Sequence, residues 1–389
     1  MLLQLALTGL LVALLPLTVV WVSGDANKFR KLVWITLFLT FDLIMFGAFT
    51  RLTDSGLGCP DWPGCYGHAN PFQAHAHISA AEALLPGGPV SVMKAWIEMI
   101  HRYLALAVGV LIISMLVISW RRWLASARQD RRFAPALPTL LFGFVCLQGA
   151  FGAWTVTMKL QPIIVTTHLL LGLTLLALLA WFASQQQQSA PVAKIERLGL
   201  GGWASLGLAL LALQIALGGW VSTNYAALAC TDFPLCHGAW IPAMDFRHGF
   251  SLWRTLGRTA AGDYLPFPAL TAIHWTHRVF ALLVLGYLAW LAWRAAHIEH
   301  LRRTARGLWL ALALQLTTGL TTVFLDWPLA IAVAHNGGAA LLVLLLIVLN
   351  YKVRYRPLRR SSVSRHTDGR DDTPPSTARR LSSSLDSCL

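Results

Sequence analysis

The sequence predicts an all-α polytopic membrane protein: two pseudo-symmetric four-helix transmembrane bundles with one extra N-terminal helix. Three observations predict it. The 389 residues are 56% hydrophobic and only 12% charged, with a mean hydropathy of +0.58. A soluble domain cannot hide that much apolar surface. Nine stretches suit a membrane-crossing helix of roughly 20 apolar residues: approximately 2–22, 31–50, 99–119, 139–157, 163–183, 199–221, 272–293, 307–325 and 329–350. The third observation is that two parts of the chain repeat one another.

The first stretch, 2–22, lacks the charged start and the small-x-small cleavage site of a signal peptide, so it reads as a helix. With the turn after it, it forms a segment 1–30 ahead of the repeat. The basic residues account for most of the net charge of +14 and cluster at 28–31, 121–132, 194–197, 294–306 and 352–360. Those are alternate gaps between helices. Positive loops face the cytoplasm, so the charge sets topology and does not mark a nucleic-acid partner. The N-terminus is expected outside and the C-terminus inside. The motif at 47–67 and the segments 158–162, 222–271 and 326–328 then lie on the extracytoplasmic face. The tail 361–389 is rich in Ser, Arg, Asp and Pro and is expected to be a disordered cytoplasmic extension.

"GAFTRLTDSGLGCPDWPGCYG" (47–67) aligns without a gap on "GGWVSTNYAALACTDFPLCHG" (218–238). Gly47 falls on Gly218, Cys59 on Cys230, Asp61 on Asp232, Pro63 on Pro234, Cys65 on Cys236 and Gly67 on Gly238. Later, "EMIHR" (98–102) matches "HWTHR" (274–278). Gln148 and His168 are 20 residues apart, as are Gln315 and His335, with Gly152 matching Gly319 between them. Two units follow, 31–184 and 199–351. Their loops run long, short, short, which suits an up-and-down bundle.

Each unit keeps two histidines inside its helices: His101 and His168 in the first, His277 and His335 in the second. At about 1.5 Å per residue, the members of each pair sit at similar depth in the outer leaflet. Polar side chains at that depth are costly and face the bundle interior. One such His alone reads as a hydrogen bond to a neighbouring helix. Four in duplicated positions read as two bis-imidazole haem sites. Two His per site without a nearby Cys or carboxylate pair supply too few ligands for zinc. Arg102 and Arg278, directly after their histidines, suit either a haem propionate or the lipid headgroups.

The repeat also breaks informatively. Glu98 lies three residues before His101 and shares its helix face; the equivalent residue is His274. A carboxyl in an apolar pocket can move protons, so the first half is expected to hold the site of chemistry and the second an electron-transfer haem. Arg51 matches Ser222, and Asp42, mid-helix, matches Leu213. Cys59/Cys65 and Cys230/Cys236 each flank a D-aromatic-P turn on the outer face, where disulfides persist; structural disulfides and redox-active thiols both remain open.

"TRLTDSGLGCPDWPGCYG", "EMIHR", "TTHLLLG", "THR" and "AHNGGA" together resemble the haem A synthase family over about residues 31–351. The resemblance implies two bundles related by a pseudo-two-fold and oxidation of the C8 methyl of haem O to a formyl group. It implies that His101 and His168 flank the substrate haem, with Arg51 and Arg102 near it, and that His277 and His335, with Arg278, hold a haem b cofactor. Glu98 matches the family's acidic residue beside the substrate, and Cys59/Cys65 its outer cysteine pair. Trp62, Arg51 and that cysteine loop are then expected to form a lid. Expected partners are haem O synthase, cytochrome oxidase assembly factors, membrane lipid and a second copy of the chain; the expected location is a bacterial inner membrane. The extra helix 2–22 and the tail depart from the family pattern. Two rival classes share the histidines: a two-haem electron-transfer cytochrome b, and a haem carrier or assembly factor that leaves its haem unmodified.

Overall fold

The computed structural model describes residues 1–187, 192–194 and 199–357; the expected disordered tail lies outside the described residues. Among these residues nine helices are long and apolar enough to cross a membrane, so the chain is a multi-pass membrane protein. They are α1 (Leu2–Val22), α2 (Lys28–Leu52), α4 (Val92–Ala125), α5 (Ala136–Thr157), α6 (Pro162–Gln186), α7 (Leu200–Thr223), α9 (Phe267–Ala296), α10 (Arg302–Phe324) and α11 (Leu329–Arg354). Two shorter helices lie in the long outer loops: α3 (His75–Leu84) and α8 (Phe246–Gly249). Val192–Lys194 pairs antiparallel with Tyr355–Pro357, a short ribbon outside the helical layers.

The helices pack as two sets of four. In the first, α2 lies against α4 and α6, and α5 against α4 and α6; in the second, α7 lies against α9 and α11, and α10 against α9 and α11. A seam of α2, α6, α7 and α11 joins the sets. Small residues let it close: a Cβ on Gly219 of α7 would lie 3.0 Å from the Leu169 side chain of α6. The extra helix α1 packs on α4, where a Cβ on Gly9 would meet Leu106 at 2.8 Å. Without an apolar driving force between helices in lipid, such close backbone approach is what holds them.

Two helices begin earlier than their hydropathy predicts. α4 starts at Val92 instead of 99, because the Ser91 hydroxyl accepts from Lys94 N (3.2 Å) and caps the first turn. α9 starts at Phe267 instead of 272, with Pro268 in its first turn. Both extra turns project from the apolar run into the outer loops.

The largest buried cluster occupies one end of the bundles. Leu111, Ile112 and Met115 of α4, Leu176 and Leu179 of α6, Leu288 and Leu291 of α9, and Leu346 and Leu349 of α11 belong to a single cluster. Each group follows its helix's histidine by about two to four turns, on the side of the basic loops. The solid floor therefore lies beneath the histidines, and the outer loops lie above them.

Candidate functional site

The four histidines hold matching places. His168 and His335 are each the seventh residue of their helices, α6 and α11. His101 is the tenth residue of α4 and His277 the eleventh of α9. His101 and His168 lie within electrostatic range of one another, and so do His277 and His335.

Each imidazole rests on a glycine. A Cβ would stand 3.0 Å from His101 Cε1 on Gly47, 3.4 Å from His168 Cε1 on Gly152, 2.9 Å from His277 Cε1 on Gly218 and 3.1 Å from His335 Cε1 on Gly319. Helical glycine costs roughly 1 kcal/mol relative to alanine, and the return is room for the ring. The sequence repeat showed these glycines as matched positions without showing what they face.

Hydrogen bonding separates the pairs. Nδ1 of His101 and of His168 is buried without a partner. His101 instead lies parallel to Phe46, 16° between planes and 6.3 Å between centroids. Gln148 Nε2 donates to His168 O (3.0 Å) and lies 3.5 Å from His168 Nε2. In the second half Gln315 Nε2 is 3.2 Å from His335 Nε2, Thr318 Oγ1 is 2.9 Å from His335 Nδ1, and Gln214 Nε2 is 3.0 Å from His277 Nδ1. Gln214 and Thr318 were missed from the sequence because they have no counterparts to align. Both imidazole pairs suit haem iron: each ring is seated on a glycine and keeps nitrogen atoms inside the bundle.

Above each pair stands a disulfide loop of one design. Cys59–Cys65 and Cys230–Cys236 are bonded, at 2.10 and 2.00 Å. Asp61 accepts from Tyr66 N (2.6 Å) and Gly67 N (2.8 Å); Asp232 accepts from His237 N (2.8 Å) and Gly238 N (2.9 Å). Those amides hold the Asp232 carboxyl below the usual carboxylate range. The chain turns with positive φ at Gly67 and Gly238 (both 74°), where a side chain is strained. Cys230, Cys236 and His237 place ligand atoms together, but the two sulfurs are bonded to each other.

The predicted polar residues serve these loops. Glu98, 4% exposed, accepts from Cys59 N (2.8 Å) with Oε2 and from Arg102 Nη2 (2.5 Å) with Oε1. Arg102 Nη1 also donates to the carbonyls of Asp61, Pro63 and Gly64. In the second half His274 Nδ1 accepts from Cys230 N (3.2 Å), and Arg278 Nη2 donates to Asp232 O and Leu235 O. Lacking a carboxylate beside it, Arg278 leaves Nη1 buried without a partner.

Arg51 spans the seam: it donates to Ser222 O (2.5 Å) and Asp54 Oδ1 (3.3 Å) and lies 4.1 Å above the Tyr225 ring. Tyr225 O–H donates to Asp54 Oδ1 (2.6 Å), and burial pushes that phenol's pKa up. Arg254, 3% exposed and absent from the sequence reading, donates to Asn224 Oδ1 on the same turn. Trp62 is 45% exposed on the loop, away from Arg51's contacts. Asp42 is exposed on α2.

Fold and site together define a duplicated membrane-helix protein with two bis-histidine sites beneath disulfide-pinned loops. Residues 30–347 match the COX15-CtaA family, described as cytochrome oxidase assembly protein. The heme A synthase of Shewanella oneidensis is 40% identical over 326 residues, covering 82% of this chain and 96% of that protein. Those of Caulobacter sp. strain K31 and Caulobacter vibrioides are each 30% identical, covering 83% of this chain and 95% of the relative. The chain belongs to the haem A synthase family.

Proposed function

We infer that this protein is a haem A synthase, an oxidoreductase converting the C8 methyl of haem O to the formyl group of haem A for cytochrome oxidases. The observation that carries the reading is the unequal duplication: two histidine pairs seated on glycines, of which only one has a buried carboxylate beside it.

In this reading the described core divides into a segment 1–30, a first bundle 31–184 and a second bundle 199–351, related by a pseudo-two-fold. His101 and His168 flank haem O in the first bundle. His277 and His335 hold haem b in the second, and that group supplies one-electron redox chemistry when bound. Arg278 has a free buried Nη1 for one of its propionates.

Removing hydrogen from a methyl group requires a place for protons, and Glu98 provides it. Both its oxygens are engaged at rest, by Cys59 N–H and Arg102. Arg102 has three loop carbonyls to hold its guanidinium if Oε1 takes a proton. The Cys59/Cys65 loop, with Trp62 on it, acts as a lid that keeps bulk water from the first site. Arg51 fixes the outer seam beside it.

The basic clusters support an orientation with the N-terminus outside and the C-terminus in the cytoplasm, and the reading puts the chain in a bacterial inner membrane. Haem O synthase delivers the substrate, and cytochrome oxidase assembly factors receive the product.

The test is chromatography of haems from cells that make haem O but not haem A, expressing the intact protein, Glu98→Ala or His277→Ala at matched membrane levels. Haem A or its hydroxylated precursor is expected from the intact protein alone. Unaltered haem O from a folded, haem-loaded protein would overturn the reading in favour of a cytochrome or carrier.

A further inference from the structure

The two histidine pairs differ in what touches Nδ1. A haem-ligating imidazole binds iron through one ring nitrogen and is oriented by the hydrogen bond at the other, which fixes its tautomer and raises its basicity. Thr318 meets that requirement. Its hydroxyl donates to Leu314 O (2.8 Å), so its lone pairs face His335 Nδ1 at 2.9 Å and accept the ring N–H. Nε2 is then left with its lone pair toward Gln315 Nε2, 3.2 Å away, and is the nitrogen that would be available to hold a haem iron. At His277 the amide of Gln214 lies 3.0 Å from Nδ1, and its Oε1 is buried without a partner. The same amide nitrogen donates to His277 O (3.2 Å), which anchors it beside Nδ1 and so orients the ring.

The first half has neither device. Phe151 occupies the position of Thr318, Leu43 that of Gln214, and Nδ1 of both His101 and His168 is buried and unpartnered. Stacking on Phe46 orients His101 without any bond to the ring nitrogen.

Resting on the haem A synthase reading, we propose that Thr318 and Gln214 are positioning residues that pin the second-half imidazoles through Nδ1. They make that site one of permanent haem residence, while the unpinned first pair releases its haem each cycle. A site that must hand over its product cannot bind as tightly as one that keeps its cofactor, and the same imidazole ligands serve both roles because the partner at Nδ1 differs.

The experiment uses the purified full-length protein in detergent, with apomyoglobin as haem acceptor, and compares wild type, Thr318→Val, Thr318→Ser and Gln214→Leu. Haem transfer, the second-site midpoint potential and the low-temperature EPR spectrum are read together. Thr318→Val is expected to lose second-site haem about 10- to 100-fold faster, with a potential shifted upward because the ligand is less basic. Thr318→Ser keeps the hydroxyl and should match wild type; Gln214→Leu should move in the same direction as valine by less. Equal transfer rate and potential in Thr318→Val and Gln214→Leu, with the second site loaded, would overturn the proposal alone. A wild type that purifies with its second site empty would overturn the underlying haem b reading and the proposal with it. If Thr318→Val fails to fold, the Gln214→Leu and Thr318→Ser results decide.

Discussion

Glu98 and His274 stand in the same place in the two halves and perform the same local task, accepting the N–H of the first cysteine in the disulfide loop. Around them the neighbourhoods diverge. Glu98 neutralises Arg102, so the first half has a closed, charge-balanced cap; His274 cannot, so Arg278 keeps a buried donor free. Below them the order is reversed: the first-half imidazoles are unpinned and the second-half ones are held. Duplication preserved the frame of loop, arginine, histidine and glycine. The small polar residues around it were free to diverge, leaving a carboxylate in one half and side-chain partners for the imidazole nitrogens in the other.

The largest expected effect comes from removing a second-half ligand. His335→Ala should lose the resident haem and lower haem A formation about a hundredfold or more, read from haem content and extracted haems. Next, Glu98→His copies the second half into the first. The Cys59 N–H keeps an acceptor, so thermal unfolding should change little while product formation falls about 10²- to 10⁴-fold, the usual range for a lost acid–base group. Equal turnover in that variant would remove Glu98 from the chemistry. Glu98→Ala should also lose about 1–3 kcal/mol of stability, because it leaves the buried Cys59 N–H without an acceptor.

Glycine substitutions sharpen the comparison. Gly152→Ala puts its Cβ in ordinary contact with His168 (3.4 Å) and should be tolerated; Gly319→Ala crowds His335 at 3.1 Å and should lower bound haem, measured by absorbance per protein. Arg51→Leu removes the Ser222 bond and the Tyr225 stacking, at a cost of about 1–2 kcal/mol visible in the melting temperature.

The smallest effect depends on pH. The Asp232 carboxyl titrates below its ordinary value, so its stabilisation is complete above that value and is lost as pH falls through the folded one. Asp232→Asn should therefore melt lower than wild type at neutral pH, with the gap closing below about pH 4.

The helices and the four histidines were legible in the sequence because hydropathy and repetition are local or aligned signals. The starts of α4 and α9 were not, since caps act outside the apolar run. The link from Glu98 to Cys59 joins residues 39 apart and leaves no periodic trace. Gln214 and Thr318 were hidden for a different reason: alignment of the halves rewards identity, and these matter by being unmatched. Arg51 stood out as an unmatched charge, but its reach across the seam to Ser222 is purely tertiary.

That reach carries a historical implication. Arg51 bonds Ser222, and Asp54 bonds Tyr225, and in both cases the partner is the residue's own repeat equivalent, 171 positions on. Contacts of that kind arise where an axis of two-fold symmetry passes between identical copies. In a homodimer of the half-length unit, each position would have faced itself, and arginine would have met arginine. Within one chain that constraint is absent: one side carries a cation and an acid, the other a serine carbonyl and a tyrosine. At the outer seam the two repeats thus meet through equivalent positions that carry unlike residues.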